Sequence, residues 1–161
     1  MKNNILRKLN NEDINLINNK RFNEALDLLD SYSKKKIDYD FINKMKGLIN
    51  LYKKEWKQSL CSYKKISVEN VNFEISNNMG VALYKLGEFS QASIKFQKAI
   101  NDKNTYIPAY ENFCVTNKLL GNYNIAIEFS LKALSLIPSN NKIKNNLIDI
   151  LNYFKPRNNK N

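Results

Sequence analysis

Apolar residues recur at helical spacing through most of the chain. Ile75, Met79, Ala82, Leu83 and Leu86 line one helical face, and after a glycine Ala92, Phe96, Ala99 and Ile100 line another. That pattern predicts two helices joined by a tight turn, with Gly87 supplying the left-handed backbone that ends the first. The turn recurs. Leu86-Gly87-Glu88-Phe89-Ser90-Gln91-Ala92 is matched by Leu120-Gly121-Asn122-Tyr123-Asn124-Ile125-Ala126, 34 residues on. Asn78 and Asn112, and Ala99 and Ala133, share that offset. Earlier in the chain Lys54-Glu55-Trp56-Lys57-Gln58-Ser59 and Lys20-Arg21-Phe22-Asn23-Glu24-Ala25 occupy the same turn without the glycine. Phe22, Trp56, Phe89 and Tyr123 therefore mark four copies, spaced by 34, 33 and 34 residues. A period of this length is the mark of a stacked repeat in which each unit buries its apolar face against its neighbours.

Each copy reads as an antiparallel helix pair. Small residues at Ala25, Ser59, Ala92 and Ala126 let the two helices approach closely, and the aromatic after each turn fills the wedge at the bend. From Asn140 the pattern changes. Ile143, Leu147, Ile150 and Leu151 fall on one helical face, and Lys142, Lys144, Asn145, Asn152 and Lys155 on the other. This is a single closing helix, begun after Pro138 and Ser139-Asn140 and ended by Pro156. The polar tail at 156–161 has the composition of a disordered segment.

These residues resemble the tetratricopeptide repeat, a 34-residue motif with a small residue at position 8, aromatics near 17 and 24, Ala at 20 and 27, and Pro at 32. The third copy sets Gly80, Phe89, Ala92, Phe96, Ala99 and Asn104 in those places, and the fourth Cys114, Tyr123, Ala126, Ser130, Ala133 and Pro138. The second gives Gly47, Trp56, Ser59, Tyr63, Ile66 and Val71. The first, with Asp13, Phe22, Ala25, Leu29, Tyr32 and Ile37, matches least, as end repeats often do. The resemblance implies an all-α fold, a right-handed α-α superhelix of antiparallel helix pairs. It implies one domain over 1–155, with repeats at about 6–39, 40–72, 73–106 and 107–140 and a closing helix at 141–154.

In that family the first helix of each pair lines the concave face, where partner polypeptides bind. The resemblance places Glu111, Asn112, Val115 and Lys118 of the fourth copy there, and Asn77, Asn78, Val81, Tyr84 and Lys85 of the third. From the second it adds Phe41, Lys44, Met45, Leu48 and Tyr52, and from the closing helix Asn145, Asn146 and Asp149. Asn78, Asn112 and Asn146 recur at 34-residue steps, with Asn11 in the same slot of the first copy. A side-chain amide both donates and accepts, so such a ladder would grip an extended backbone with little regard to sequence. The competing reading is structural, because 28 of the 161 residues are Asn. Of the five slots with which chaperone-docking relatives hold a C-terminal carboxylate, Lys44 and Asn78 fill two. Leu48, Pro108 and Asn112 replace the rest, so that clamp is not expected.

Composition narrows the function further. The formal charge is +11, yet the basic residues are scattered and the one run, Lys34-Lys35-Lys36, is short. Nucleic-acid binders cluster their charge on one element, so the excess reads as compositional, from a chain rich in the A/T-coded Asn, Lys and Ile, before it reads as nucleic-acid binding; a protein or peptide partner is expected, and the charge leaves room for an acidic one. The absence of histidine removes imidazole bases and metal ligands. Cys61 and Cys114 are too far apart in sequence to form a metal-ligand motif, and each lies in an apolar stretch, which predicts two core thiols in a reducing compartment. No phosphate loop or ligand cluster is present, so no enzyme activity, cofactor, metal or small-molecule substrate is expected. Nothing reaches the ~20 apolar residues of a membrane span, and a cytoplasmic location is expected. The leading function is a protein-interaction scaffold that binds an extended peptide or partner protein in its concave groove. The alternative is the substrate-recognition domain of a larger transferase, such as a glycosyltransferase. Exposed end repeats leave room for weak self-association.

Overall fold

The computed structural model describes residues 15–33 and 38–154. Asn11, Asp13, the run Lys34-Lys35-Lys36, Ile37 and the tail at 156–161 lie outside them. The described elements are α1 (Phe22–Ser33), α2 (Tyr39–Tyr52), α3 (Trp56–Lys64), a 3-10 turn (Val68–Asn70), α4 (Phe73–Lys85), α5 (Phe89–Asp102), α6 (Ile107–Leu119), α7 (Tyr123–Leu136) and α8 (Asn141–Tyr153). No strand occurs among the described residues. All four repeat-marking aromatics open a helix, at Phe22, Trp56, Phe89 and Tyr123.

The turns before those aromatics share one backbone conformation. Gly87 and Gly121 have φ of 80° and 76°, and Lys20 and Lys54 hold the matching places at 58° and 62°. A lysine there carries the steric cost of a left-handed residue that glycine avoids. Helix starts recur too: the side chains of Asp38, Asn72 and Asn140 cap α2, α4 and α8 by accepting backbone N–H bonds.

The chain divides between Val71 and Asn72 into two compact units. In the first, Ile17, Ala25, Leu29, Tyr32, Ile42, Met45 and Ile49 form one buried cluster. Met45, which the register placed on the concave face, is therefore a core residue. Gly47 lies under the ring of Tyr63, where a Cβ would come within 2.6 Å of it. The Ser59 hydroxyl donates to the Gly47 carbonyl at 2.8 Å, which accounts for serine in a place the other copies give to alanine. Asp40 accepts from the Asn70 side chain at 2.7 Å and the Ser67 amide at 3.1 Å. These bonds, the Asn70 one foremost, hold its carboxyl below its usual pKa.

In the second unit each helix packs on its successor, and the first helices of successive pairs also touch, α4 on α6 and α6 on α8. Ala92, Ala126, Ala99 and Ala133 are fully buried between them. Gly80 packs on Phe96, whose ring would lie 2.5 Å from an added Cβ. In the next copy both sizes change together, to Cys114 and Ser130, and both are again fully buried. Burial pushes the Cys114 thiol up to about 11, the nearby Ser130 hydroxyl opposing in part. Cys61 departs from the core thiol expected, being exposed. The buried residues of α3 are Ser59, Leu60 and Tyr63, and Cys61 falls outside that stripe.

Candidate functional site

Helical periodicity brings one face of α4, α6 and α8 together in the second unit. A cleft of about 170 Å3 opens there, lined by Val81, Tyr84 and Lys85 of α4, Asn112 and Val115 of α6, Phe96 of α5 and Lys142 of α8. Five of these residues were expected from the repeat register. Phe96 and Lys142 were not. Phe96 sits beneath the cleft because Gly80 has no side chain in its way. Lys142, assigned from the sequence to the outer polar face of the closing helix, turns instead to Glu111 and bonds its carboxylate at 2.7 Å.

The amides serve more than one purpose. Asn112 Nδ2 donates to Asn77 Oδ1 at 3.0 Å, tying α6 to α4, and Asn77 is 5% exposed. Asn78 is half-buried. Asn146 is 8% exposed and its Nδ2 has no hydrogen-bond partner. Asn146 stands one repeat after Asn112, and Glu111 one repeat after Asn77. The Glu111 carboxylate is instead taken by Asn140 Nδ2 at 2.8 Å and by Lys142. Lys118, also from the expected set, pairs with Asp149 at 3.1 Å. Both ion pairs join α6 to α8. Lys85 is exposed, 5.8 Å from the centroid of the Tyr84 ring, and makes no ion pair among the described residues. The ring of Tyr84 is half-buried, edge-on to Phe89. The site thus offers an apolar pit, an amide and an ammonium at its rim, with an excess of one positive charge over the carboxylates beside it.

Lys44 and Tyr52 lie on α2 of the first unit. Lys44 is half-buried; Tyr52 is exposed and stacks on Phe22 at 6.3 Å. A second, larger depression of about 710 Å3 lies between α5 and α7 over Phe113 and Phe129. Its Asn117 amide is taken up by Ser93 and the Phe113 carbonyl, both at 3.0 Å. Among the described residues no group of three or more His, Cys, Asp or Glu side chains converges to hold a metal. No helix among them is long and apolar enough to cross a membrane.

No protein-family model and no curated protein matches the chain. Solved structures do. A double mutant of MamA RS-1 is 17% identical with a TM-score of 0.81, over 94% of this chain and 85% of that one. YrrB, described as a TPR protein with an unusual peptide-binding site, is 17% identical with a TM-score of 0.79, over 92% of this chain and 77% of its own. The second TPR domain of human RPAP3, in complex with the HSP70 peptide SGPTIEEVD, is 19% identical with a TM-score of 0.65, over 70% of this chain and 95% of that one. The fold is that of tetratricopeptide-repeat proteins, as the 34-residue register implies.

Proposed function

We propose that the inner face of α4, α6 and α8 binds an extended polypeptide, as part of a protein-interaction scaffold. The cleft between Val81, Tyr84 and Val115 carries the reading. At about 170 Å3 it is smaller than the ~300–1,000 Å3 of small-molecule sites, and it has room for one aliphatic side chain. The half-buried Asn112 lines it, and its side-chain oxygen is suited to accept from a peptide N–H. Lys85 at the rim, which makes no ion pair among the described residues, favours an acidic residue next to the seated one, in keeping with the chain's net charge of +11. The RPAP3 domain of the same fold holds a peptide ending in Glu-Glu-Val-Asp, an acidic segment with an aliphatic residue within it.

The test is selection from a random peptide display library on the intact chain, followed by affinity measurement on variants. Selected peptides are expected to pair an aliphatic with an acidic residue. They should lose more than tenfold in affinity on Val115→Asp, and severalfold, in a salt-dependent way, on Lys85→Glu. Peptides that bind Val115→Asp as well as the parent would move the site off this face.

A further inference from the structure

The cleft owes its depth to a residue that the inner face does not itself carry. Phe96 belongs to α5, the second helix of its pair, and is only 1% exposed. It still forms the floor, with Val81 and Tyr84 of α4 and Val115 of α6 as walls. Its ring reaches that place because residue 80 is glycine: a Cβ there would stand 2.5 Å from Cε1 and 2.7 Å from Cδ1 of the ring. So close a fit on one side, in an interior packed as densely as an organic crystal, leaves the ring no second position to withdraw to. The floor is therefore rigid, whereas Val81, Tyr84 and Val115 are half-buried and border solvent. The fourth copy lacks this aromatic floor. Ser130 replaces the ring and Cys114 the glycine, and both are fully buried.

On the reading that this face binds a peptide, we propose that Phe96 determines which side chain the cleft accepts. A space of about 170 Å3 closed below by a fixed ring takes a short branched aliphatic side chain, valine or isoleucine. Phenylalanine or methionine needs a deeper seat, and Phe96 denies it. Val81 and Val115 set the width of the opening; Phe96 sets how far a side chain can enter. In an apolar pocket a single methylene alters discrimination by about 10–200-fold, and phenylalanine exceeds valine by several carbons. The partner is thus a segment with Val or Ile beside its acidic residue, and segments with an aromatic residue in that place are refused.

The probe is the display-selected peptide, synthesised with Val, Ile, Met or Phe at its aliphatic position and titrated against the intact chain, Phe96→Leu and Val115→Asp. The parent should bind the Val and Ile forms at least tenfold more tightly than the Phe form. In Phe96→Leu that ratio should fall to threefold or less, or reverse, because leucine leaves the far end of the ring's space empty. A ratio is unaffected by any loss common to all four peptides from a less stable core. In the parent alone, the methyls of the seated Val should give nuclear Overhauser contacts to the Phe96 ring, a readout that needs no variant. Equal binding of the four forms by the parent, an unchanged ratio in Phe96→Leu, or no such contact overturns the role of Phe96 and leaves the peptide site standing. Binding that Val115→Asp does not weaken removes the peptide site, and the role of Phe96 with it.

Discussion

Gly80→Ala tests whether the helix pairs are held by close contact or by helix propensity. The two effects have opposite signs. In an exposed helix interior, alanine in place of glycine stabilises by about 1 kcal/mol. At position 80 the new methyl would stand 2.5 Å, 2.7 Å and 3.0 Å from three atoms of the Phe96 ring, against the ~3.5–4.0 Å of an ordinary carbon contact. Phe96 is 1% exposed, so its ring cannot swing into solvent, and ring or helix must move by about 1 Å. Overpacking of that kind costs about 1–3 kcal/mol. The net expectation is a destabilisation of about 1 kcal/mol, or roughly 2–4 °C in Tm for a chain of this size. Urea unfolding followed by circular dichroism measures it, with amide exchange on α4 and α5 as a local check, since repeat arrays open in stages. The decisive comparison is the same substitution in a Phe96→Leu background. There the methyl has room, and Gly80→Ala should turn neutral or stabilising, a coupling of about 1 kcal/mol between neighbours in contact. A Gly80→Ala protein more stable than the parent, or one indifferent to residue 96, would refute the reasoning.

Three further outcomes follow from the turns, the thiols and one carboxylate. Lys54→Gly should stabilise by about 0.5 kcal/mol, relief of ~1–2 kcal/mol of left-handed strain exceeding the ~0.5–1 kcal/mol of added chain entropy, whereas Gly87→Ala, with nothing within 4 Å of its Cβ but φ of +80°, should lose about 1 kcal/mol; thermal melts of both variants decide. Cys61 should react with a thiol reagent in the native protein at pH 8 and Cys114 only on unfolding, because Cys114 is buried with its thiol pushed up to about 11; the unfolded thiol ionises near pH ~8.5, so stability should fall between there and 11, and Cys114→Ala should remove that slope in alkaline melts. The lowered carboxyl of Asp40 stabilises the fold above the usual carboxylate value of about 3.9 and ceases to do so as pH falls through its folded value; Asp40→Asn should therefore flatten the acid limb of the stability profile, and an unchanged limb would show that the Asn70 and Ser67 bonds contribute nothing.

The helix pairs were legible because a 34-residue period repeats the residues that set backbone shape. Phe22, Trp56, Phe89 and Tyr123 announce helix starts, and the turn before each keeps its left-handed residue even where Lys20 and Lys54 replace glycine. Burial was less legible in α3, where an apolar stretch around Cys61 concealed a narrow stripe of Ser59, Leu60 and Tyr63. The candidate groove was readable on α4 and α6, which are copies of one another, and less so on α8, which is not. Alignment at 34 residues finds like with like, whereas contacts across helices join unlike residues at other offsets. Asn112 meets Asn77 at 35, and Glu111–Lys142 and Lys118–Asp149 both meet at 31. The period alone therefore could not show that Lys142 faces the groove, or that Glu111 is held by Asn140 and Lys142 while the amide nitrogen of Asn146, one repeat after Asn112, has no partner among the described residues.

The outer side of α8 differs from that of the helices it resembles. A first helix covered by a second buries positions 4, 8 and 11, as Ser76, Gly80 and Leu83 do in α4. Among the described residues no second helix follows α8 to set that demand on its outer side, and the inner one is met by the burial of Ile143, Asn146 and Ile150. With the inner demand alone, Lys144, Ile148 and Leu151 would drift toward polar residues, because exposed Ile and Leu gain nothing from packing and add surface for aggregation. Lys144 is such a residue; Ile148 and Leu151 are not. Ile148 and Leu151 thus stay apolar at 51% and 47% exposure, although no second helix among the described residues packs on them.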